Sequence, residues 1–421
     1  MKRGEILYHK TVLSNGIRVV TEQVPAVRSV STGIWVSVGS RDEREEEQGV
    51  THFIEHMLFK GTQRRSALDI AKELDAVGGF ANAFTSKEHV CFHAKVLGTH
   101  LSMVVDVLTD IFLHSTFAPE EILREQQVIL QEIRMIEDTP DDYIHIIFQD
   151  MFWNHNPLGR PIYGTAAAVE KIDRQSILSY LSRTFNPGRI VIAAAGDLDH
   201  EQFVDLVASS MEKLNTREDF DARRTPENRH LYEVISKDLE QVHLCLGMKG
   251  TSHLDESRFA CHLLNVILGS SMSSRLFQEI REKRGLAYSV YSFMNSHEDT
   301  GVLGVYSGIA PENVNETLQV IKDQLTMLVD TPISETELNA AKEYMKGSMY
   351  LNAEITDSRM NRLAKNEFLF GRYVTYEEVE EKINRVTAEE IQDWFRQVFV
   401  PDQLALVLLG PLESDSLSVK F

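Results

Sequence analysis

The chain repeats itself, and that repeat limits its possible folds more than any other feature. "FNPGRIVIAAAGDL" (185–198) parallels "FVPDQLALVLLGPL" (399–412), sharing a Phe, a Pro, an apolar strand and a Gly-x-Leu ending. "LGRPIYGTAAAVEKIDR" (158–174) parallels "FGRYVTYEEVEEKINR" (370–385), and "FAPEEILREQQVILQEI" (117–133) parallels "PISETELNAAKEYMKGSM" (332–349). Three matched stretches in one order, about 210–215 residues apart, predict a duplicated domain. A chain of 421 residues is also too long for one compact core.

Apolar-rich or alternating runs predict strands at "IRVVTEQV", "GIWVSVGS", "VCFHAKV" and "RIVIAAAG", then at "VHLCLGM", "GVLGVYSGI" and "LALVLLG". Helical patterns of 12 residues or more lie between them. Each half therefore reads as an α+β domain, a mixed and mostly antiparallel sheet packed with helices. The expected division is 1–214, a polar linker at 215–230 containing charge of both signs and a proline, and 231–421.

Charge and composition narrow the functions. A net charge of −20 disfavours nucleic acid or an anionic membrane as partner. No apolar run approaches the roughly 20 residues that span a bilayer. Cys91, Cys245 and Cys261 form no CxxC pair, which fits small buried residues in a reducing compartment. The opening "MKRGEILYHKTVLSNG" has two basic residues but no apolar h-region, so a cytoplasmic address is the expectation.

The chemistry centres on "GVTHFIEHMLFKGT" (49–62). On a helix, residues i and i+4 lie on one face with Cβ atoms about 5–6 Å apart. His52 and His56 can then aim ring nitrogens at one cation, and Glu55 can lean over the site as a general base toward water. A hydrolytic zinc usually takes a third protein ligand. "PEEILREQQVILQEIRMIED" offers it, as a helix opened by Pro119. Glu125 and Glu132 share a face two turns apart, while Glu121 and Glu137 are by default solvated. Two competing motifs fail. His89 and His93 sit on a strand, where a four-residue spacing does not converge. "LGSSMSSRL" (268–276) lacks the G-x-S-x-G elbow of a serine hydrolase.

HxxEH followed by a glutamate 76 positions after the second histidine resembles the pitrilysin and insulysin family. These inverzincins include the mitochondrial processing peptidase and its bacterial relatives. The resemblance implies His52, His56 and Glu132 as ligands of one Zn2+ per chain, with Glu55 as base. It implies that Glu125 orients the site. "FANAFTSKEHVCFHAKV" (80–96) looks like the family's edge strand, which binds extended substrate around Asn82 and Ala83. "IREKRGLAYSVYS" (280–292) resembles its Arg-x6-Tyr element, giving Arg281 and Tyr288 catalytic roles. By default the charge run there is a solvated face, and only the resemblance lifts Arg281 above its neighbours.

Family enzymes of twice this length join two such units as a clamshell. This chain would be half of one, and a homodimer would complete each active site with the second domain of the partner chain. The expected function is a zinc-dependent endopeptidase acting on unfolded peptides or precursor segments. The alternative is a non-catalytic scaffold or partner subunit of the same fold. In the repeat register, position 52 falls near "VILGSSMSS" (266–274) and Glu132 near Gly347, so the second half has no HxxEH of its own.

Overall fold

The computed structural model describes residues 7–214, 221–413 and 417–419. Its first sheet is built from β1 (Leu7–Val12), β2 (Arg18–Gln23), β3 (Ser29–Val36), β4 (Phe80–Thr85), β5 (Val90–Leu97) and β6 (Ile190–Gly196). Its second takes β7 (Leu231–Ser236), β8 (Val242–Lys249), β9 (Ala287–Ser296), β10 (Gly301–Ile309) and β11 (Ala405–Gly410). The first half contributes helices α1 (Val50–Leu58), α2 (Ala67–Asp75), α3 (Leu101–His114), α4 (Pro119–Glu137), α5 (Pro140–Phe152), α6 (Ala166–Val169), α7 (Arg174–Thr184) and α8 (His200–Met211). The second contributes α9 (Arg258–Leu268), α10 (Val314–Asp330), α11 (Glu335–Asn352), α12 (Thr356–Phe370), α13 (Tyr376–Arg385) and α14 (Ala388–Val398).

The duplication is plain in the strand order. The sheets run β1-β2-β6-β3-β5-β4 and β7-β11-β8-β10-β9. In each, one pair is parallel, β2 with β6 and β7 with β11, and the remaining pairs are antiparallel. The fold is α+β in two similar halves. β4 and β9 occupy matching edges, each paired on one side only.

The sequence reading expects two consecutive stretches, 1–214 and 231–421, but the two compact units interleave along the chain. One comprises Met1–Arg134, Arg160–Arg223 and Leu351–Val374, and the other Met135–Gly159, Arg224–Tyr350 and Thr375–Phe421. Two helices therefore leave the half that encodes them. α5 buries Ile144, Phe148 and Phe152 in the second unit, where it packs on β8 and β11. α12 buries Met360, Leu363 and Ala364 in the first, on β2, β3 and β6. An apolar stripe at helical spacing demands a partner surface but does not say which sheet supplies it. Within the expected linker, residues 215–220 lie outside the described residues, and 221–230 form neither helix nor strand.

The repeat register also needs one correction. The helix following β3 is α1, and the helix following β8 is α9, so the motif's counterpart is "RFACHLLNVIL" rather than "VILGSSMSS". The connection is shorter in the second half (250–257) than in the first (37–49), which moves the helix earlier.

Candidate metal centre

α1 starts at Gly49, whose φ of +87° lies in the left-handed region. A Cβ there would meet the Tyr163 carbonyl oxygen at 2.5 Å, so only glycine fits. No side chain at the helix start caps it. Instead Glu43 reaches in, its Oε2 accepting from the Gly49 N–H and its Oε1 from the Thr51 N–H, both at 2.8 Å. Val50, Phe53, Ile54 and Met57 anchor the helix in the core. That burial leaves His52, Glu55 and His56 on a side that meets α4 and β4.

The histidine rings lie 4.6 Å apart between centroids. His52 Nε2 and His56 Nε2 are each 3.8 Å from Glu132 Oε2 on α4. These three donor atoms lie within 4.8 Å of one another. On the far side of its ring, His56 Nδ1 is 3.0 Å from Glu125 Oε2, and Lys60 Nζ is 2.5 Å from Glu125 Oε1. Glu125 is 4% exposed and lies between two nitrogen donors, the arrangement an ionised carboxylate accepts. The His56 proton then sits on Nδ1 and the Nε2 lone pair faces Glu132. Burial pushes His52 down to about 4, so its ring is neutral and can ligate.

The donor set fits a zinc ion. A separation of 3.8 Å is too long for a hydrogen bond and within the about 4 Å that two atoms bonded to one Zn2+ can span. Lone pairs and a carboxylate oxygen turned on one point repel unless a cation sits among them. Glu55 is held beside them, its Oε2 accepting from Thr85 Oγ1 at 2.6 Å. Burial raises its carboxyl, and the Thr85 hydrogen bond opposes that rise.

The other sequence candidates sit as follows. Asn82 and Ala83 lie on the edge strand β4, and the Ala83 N–H donates to Asn82 Oδ1 at 2.9 Å. Thr85, on the same strand, links that edge to Glu55. Arg281 and Tyr288 belong to the second unit. Arg281 lies in a π-helical turn, Phe277–Glu282. Its Nη1 donates to the Tyr288 carbonyl at 3.0 Å, and its guanidinium stacks 4.3 Å from the tyrosine ring centroid. Tyr288 itself is 77% exposed. The arginine thus fixes the tyrosine's backbone and leaves its hydroxyl free to reach a ligand.

Sequence reasoning missed Lys60, Thr85 and Glu43. Lys60 follows His56 by four residues, a helical spacing that could have flagged it. Glu43 sits in the charge run "SRDEREEE", which ordinarily signals solvent.

Comparison with known proteins places the chain in a family. The family model described as "Insulinase (Peptidase family M16)" matches residues 18–166, and "Peptidase M16 inactive domain" matches 171–345. An uncharacterized zinc protease of Streptomyces coelicolor is 40% identical over 417 residues, 97% of this chain and 91% of that one. The uncharacterized zinc protease YmxG of Bacillus subtilis is 41% identical over 94% of this chain and 97% of its own. Among solved structures, a protease from Helicobacter pylori superposes with a TM-score of 0.88 at 21% identity, covering 96% of this chain and all 100% of that one. The peptidase M16 inactive domain from Pseudomonas fluorescens also gives 0.88, at 19% identity over 96% and 98%. These two show the fold. The end-to-end identity with the zinc proteases shows the lineage: the chain belongs to peptidase family M16.

Proposed function

We propose that this chain is a zinc-dependent endopeptidase that hydrolyses extended, unfolded peptides. One observation carries the reading: two imidazole nitrogens and the Glu132 carboxylate converge on a single point, with Glu125 behind one of them. His52, His56 and Glu132 would hold the ion, which when bound supplies a Lewis acid that acidifies water and polarises a scissile carbonyl. Glu55 takes the proton from the attacking water. Thr85 occupies one of its oxygens, leaving the other for that transfer. Glu125, held by Lys60, keeps the His56 proton on Nδ1 and fixes the ring's aim. Substrate adds as a strand beside β4 at Asn82 and Ala83, where backbone recognition requires an extended chain.

We further infer a homodimer in which Arg281 and Tyr288 of one subunit serve the metal site of the other. The exposed Tyr288 hydroxyl would then donate to the tetrahedral oxyanion. A scaffold role is less well supported. The description "inactive domain" covers 171–345, whereas the metal site lies within the peptidase match at 18–166. The test is metal analysis of the purified chain, together with digestion of a peptide library with and without a chelator. One zinc per chain and chelator-sensitive cleavage are expected. A metal-free chain, or cleavage indifferent to chelator, would sink the proposal.

A further inference from the structure

We propose that Glu43 is a positioning residue, whose buried carboxylate fixes the N-terminus of α1 and thereby the aim of His52 and His56. The inference rests on the reading of that site as metal-binding.

α1 has nine residues, so its first turn directly precedes and carries His52. A short helix relies on outside contacts to fix its rotation. Glu43 provides two, one from each carboxylate oxygen, to the N–H groups of Gly49 and Thr51. The Thr51 hydroxyl meets the buried Tyr180 hydroxyl at 2.7 Å, a third restraint on the same turn. The chain around Glu43 is itself held. Arg160 Nη1 donates to the Glu43 carbonyl at 3.2 Å. The neighbouring Asp42 accepts from Arg223 Nε and Nη2 at 2.9 and 2.8 Å, and from the Gly39 N–H at 2.9 Å. The helix start is therefore set by a braced turn and not by its own sequence.

Stability alone does not account for this carboxylate. It is 4% exposed, and no Lys or Arg side chain pairs with it among the described residues. Burial pushes its carboxyl up to about 8 against the pull of the two backbone donors. A fully buried carboxyl with no cation beside it is expensive to keep, and an apolar side chain of the same volume would pack at lower cost. What the carboxyl offers is direction. Two N–H bonds, one to each of its oxygens, define where the first turn points.

The test measures zinc affinity of the purified full-length chain by competition with a chromophoric chelator, alongside the thermal midpoint. Glu43→Ala is expected to bind zinc about 10- to 100-fold more weakly, the scale of losing a partner that orients a ligand. Glu43→Gln retains one strong acceptor and is expected to fall between it and wild type; it also serves if the alanine variant does not fold. Glu22→Gln, a buried carboxylate on β2 paired with Arg359, is the control for lost stability. It is expected to lower the midpoint while zinc affinity stays within about twofold. If Glu43→Ala and Glu43→Gln bind zinc like wild type, or affinity falls in step with the midpoint in all three variants, the positioning role is wrong. If wild type itself does not bind zinc, the metal reading fails, and this inference with it.

Discussion

The two units share a sheet plan and differ in what they bury. In the first, Glu22, Arg41, Glu43, Glu88, Asp110, Glu125 and Glu367 are all at most 5% exposed. In the second, no Asp, Glu, Lys or Arg among the described residues is buried to that degree. The helices imported from the other half follow the same rule. α12 is fastened in the first unit by Arg359 to Glu22, Lys95 to Asp357, Lys10 to Glu367 and a Ser31–Thr356 hydroxyl pair. α5 is fastened in the second by hydrocarbon and, in place of ion pairs, a neutral contact between His145 Nε2 and the Tyr291 hydroxyl at 2.9 Å. Phe148 lies so close over Gly247 that a Cβ there would sit 2.3 Å from the ring. Phe148 also stacks on Phe152 with centroids 5.3 Å apart. Apolar packing is the cheaper way to seat a helix. The unit that carries the metal-site geometry is the one that buries charge, and α1 and α9 show the contrast in one element. α1 turns two histidines and a glutamate inward, where α9 buries Leu263, Leu264, Ile267 and Leu268.

The largest effects should come from the two imported helices. Phe148→Ala and Arg359→Met are each expected to cost about 3–5 kcal/mol, one by opening a cavity and the other by leaving Glu22 buried without its cation. Acid separates them. Burial already raises the Glu22 carboxyl, and Arg359 is the main influence holding it down. Without the arginine it rises further, so the folded variant keeps a proton that the unfolded chain has released. The deficit of Arg359→Met is then full above the raised value and shrinks as the pH falls toward the ordinary glutamate range. The Phe148→Ala deficit should not change with pH. Denaturant midpoints from pH 4 to 8 read both, and parallel profiles would erase the distinction between the units.

Next comes the chemistry. Glu55→Gln is expected to keep its zinc and lose at least about 100-fold in peptide hydrolysis, the scale of a general base. Tyr288→Phe, in the other unit, should also be nearly inactive under the dimer proposal. Mixing the two chains should then restore activity toward about a quarter of wild type, since half the dimers are mixed and each has one complete site. If subunits exchange and no activity returns, the tyrosine does not act across a dimer.

Smaller still are the effects of the carboxylates around the histidines. Glu125→Gln is expected to weaken zinc binding by about 10- to 100-fold through misorientation of His56. Glu132→Gln, which replaces an anion among the donors by a neutral amide, should bind zinc more weakly than Glu125→Gln. A reversed order in zinc titrations would exchange the two roles.

Much of this contrast was invisible in the sequence, for reasons that differ by residue. β10 falls on the run "GVLGVYSGI", and α4 starts at Pro119, because patterning and a helix-start proline are local signals. The His52–His56 spacing is local too. β1, β7 and β9 were missed because their exposed or mixed faces break the apolar pattern. "SRDE" (40–43) gave no sign of burial, since the groups that satisfy it lie at Gly49, Thr51, Glu88, Arg160 and Arg223. α5 and α12 show the general limit. Their stripes predict that each buries a face, and nothing within either helix names the sheet.

The smallest prediction tests whether every ion pair on α12 matters equally. Lys95 Nζ lies 3.0 Å from Asp357 Oδ2, with the two side chains 37% and 33% exposed. Water already solvates both charges, so the attraction is weak, while holding two flexible side chains together costs entropy. Lys95→Met is therefore expected to cost no more than about 1 kcal/mol, and that loss should vanish as salt approaches 1 M. Arg359→Met should keep most of its deficit in salt, because Glu22 is 1% exposed and ions cannot reach it. Both pairs tie the same helix to the same sheet, so the difference between them isolates burial from charge. If salt erased both deficits alike, the first unit would hold α12 by ordinary surface electrostatics, and its buried carboxylates would have to owe their place to something other than seating that helix.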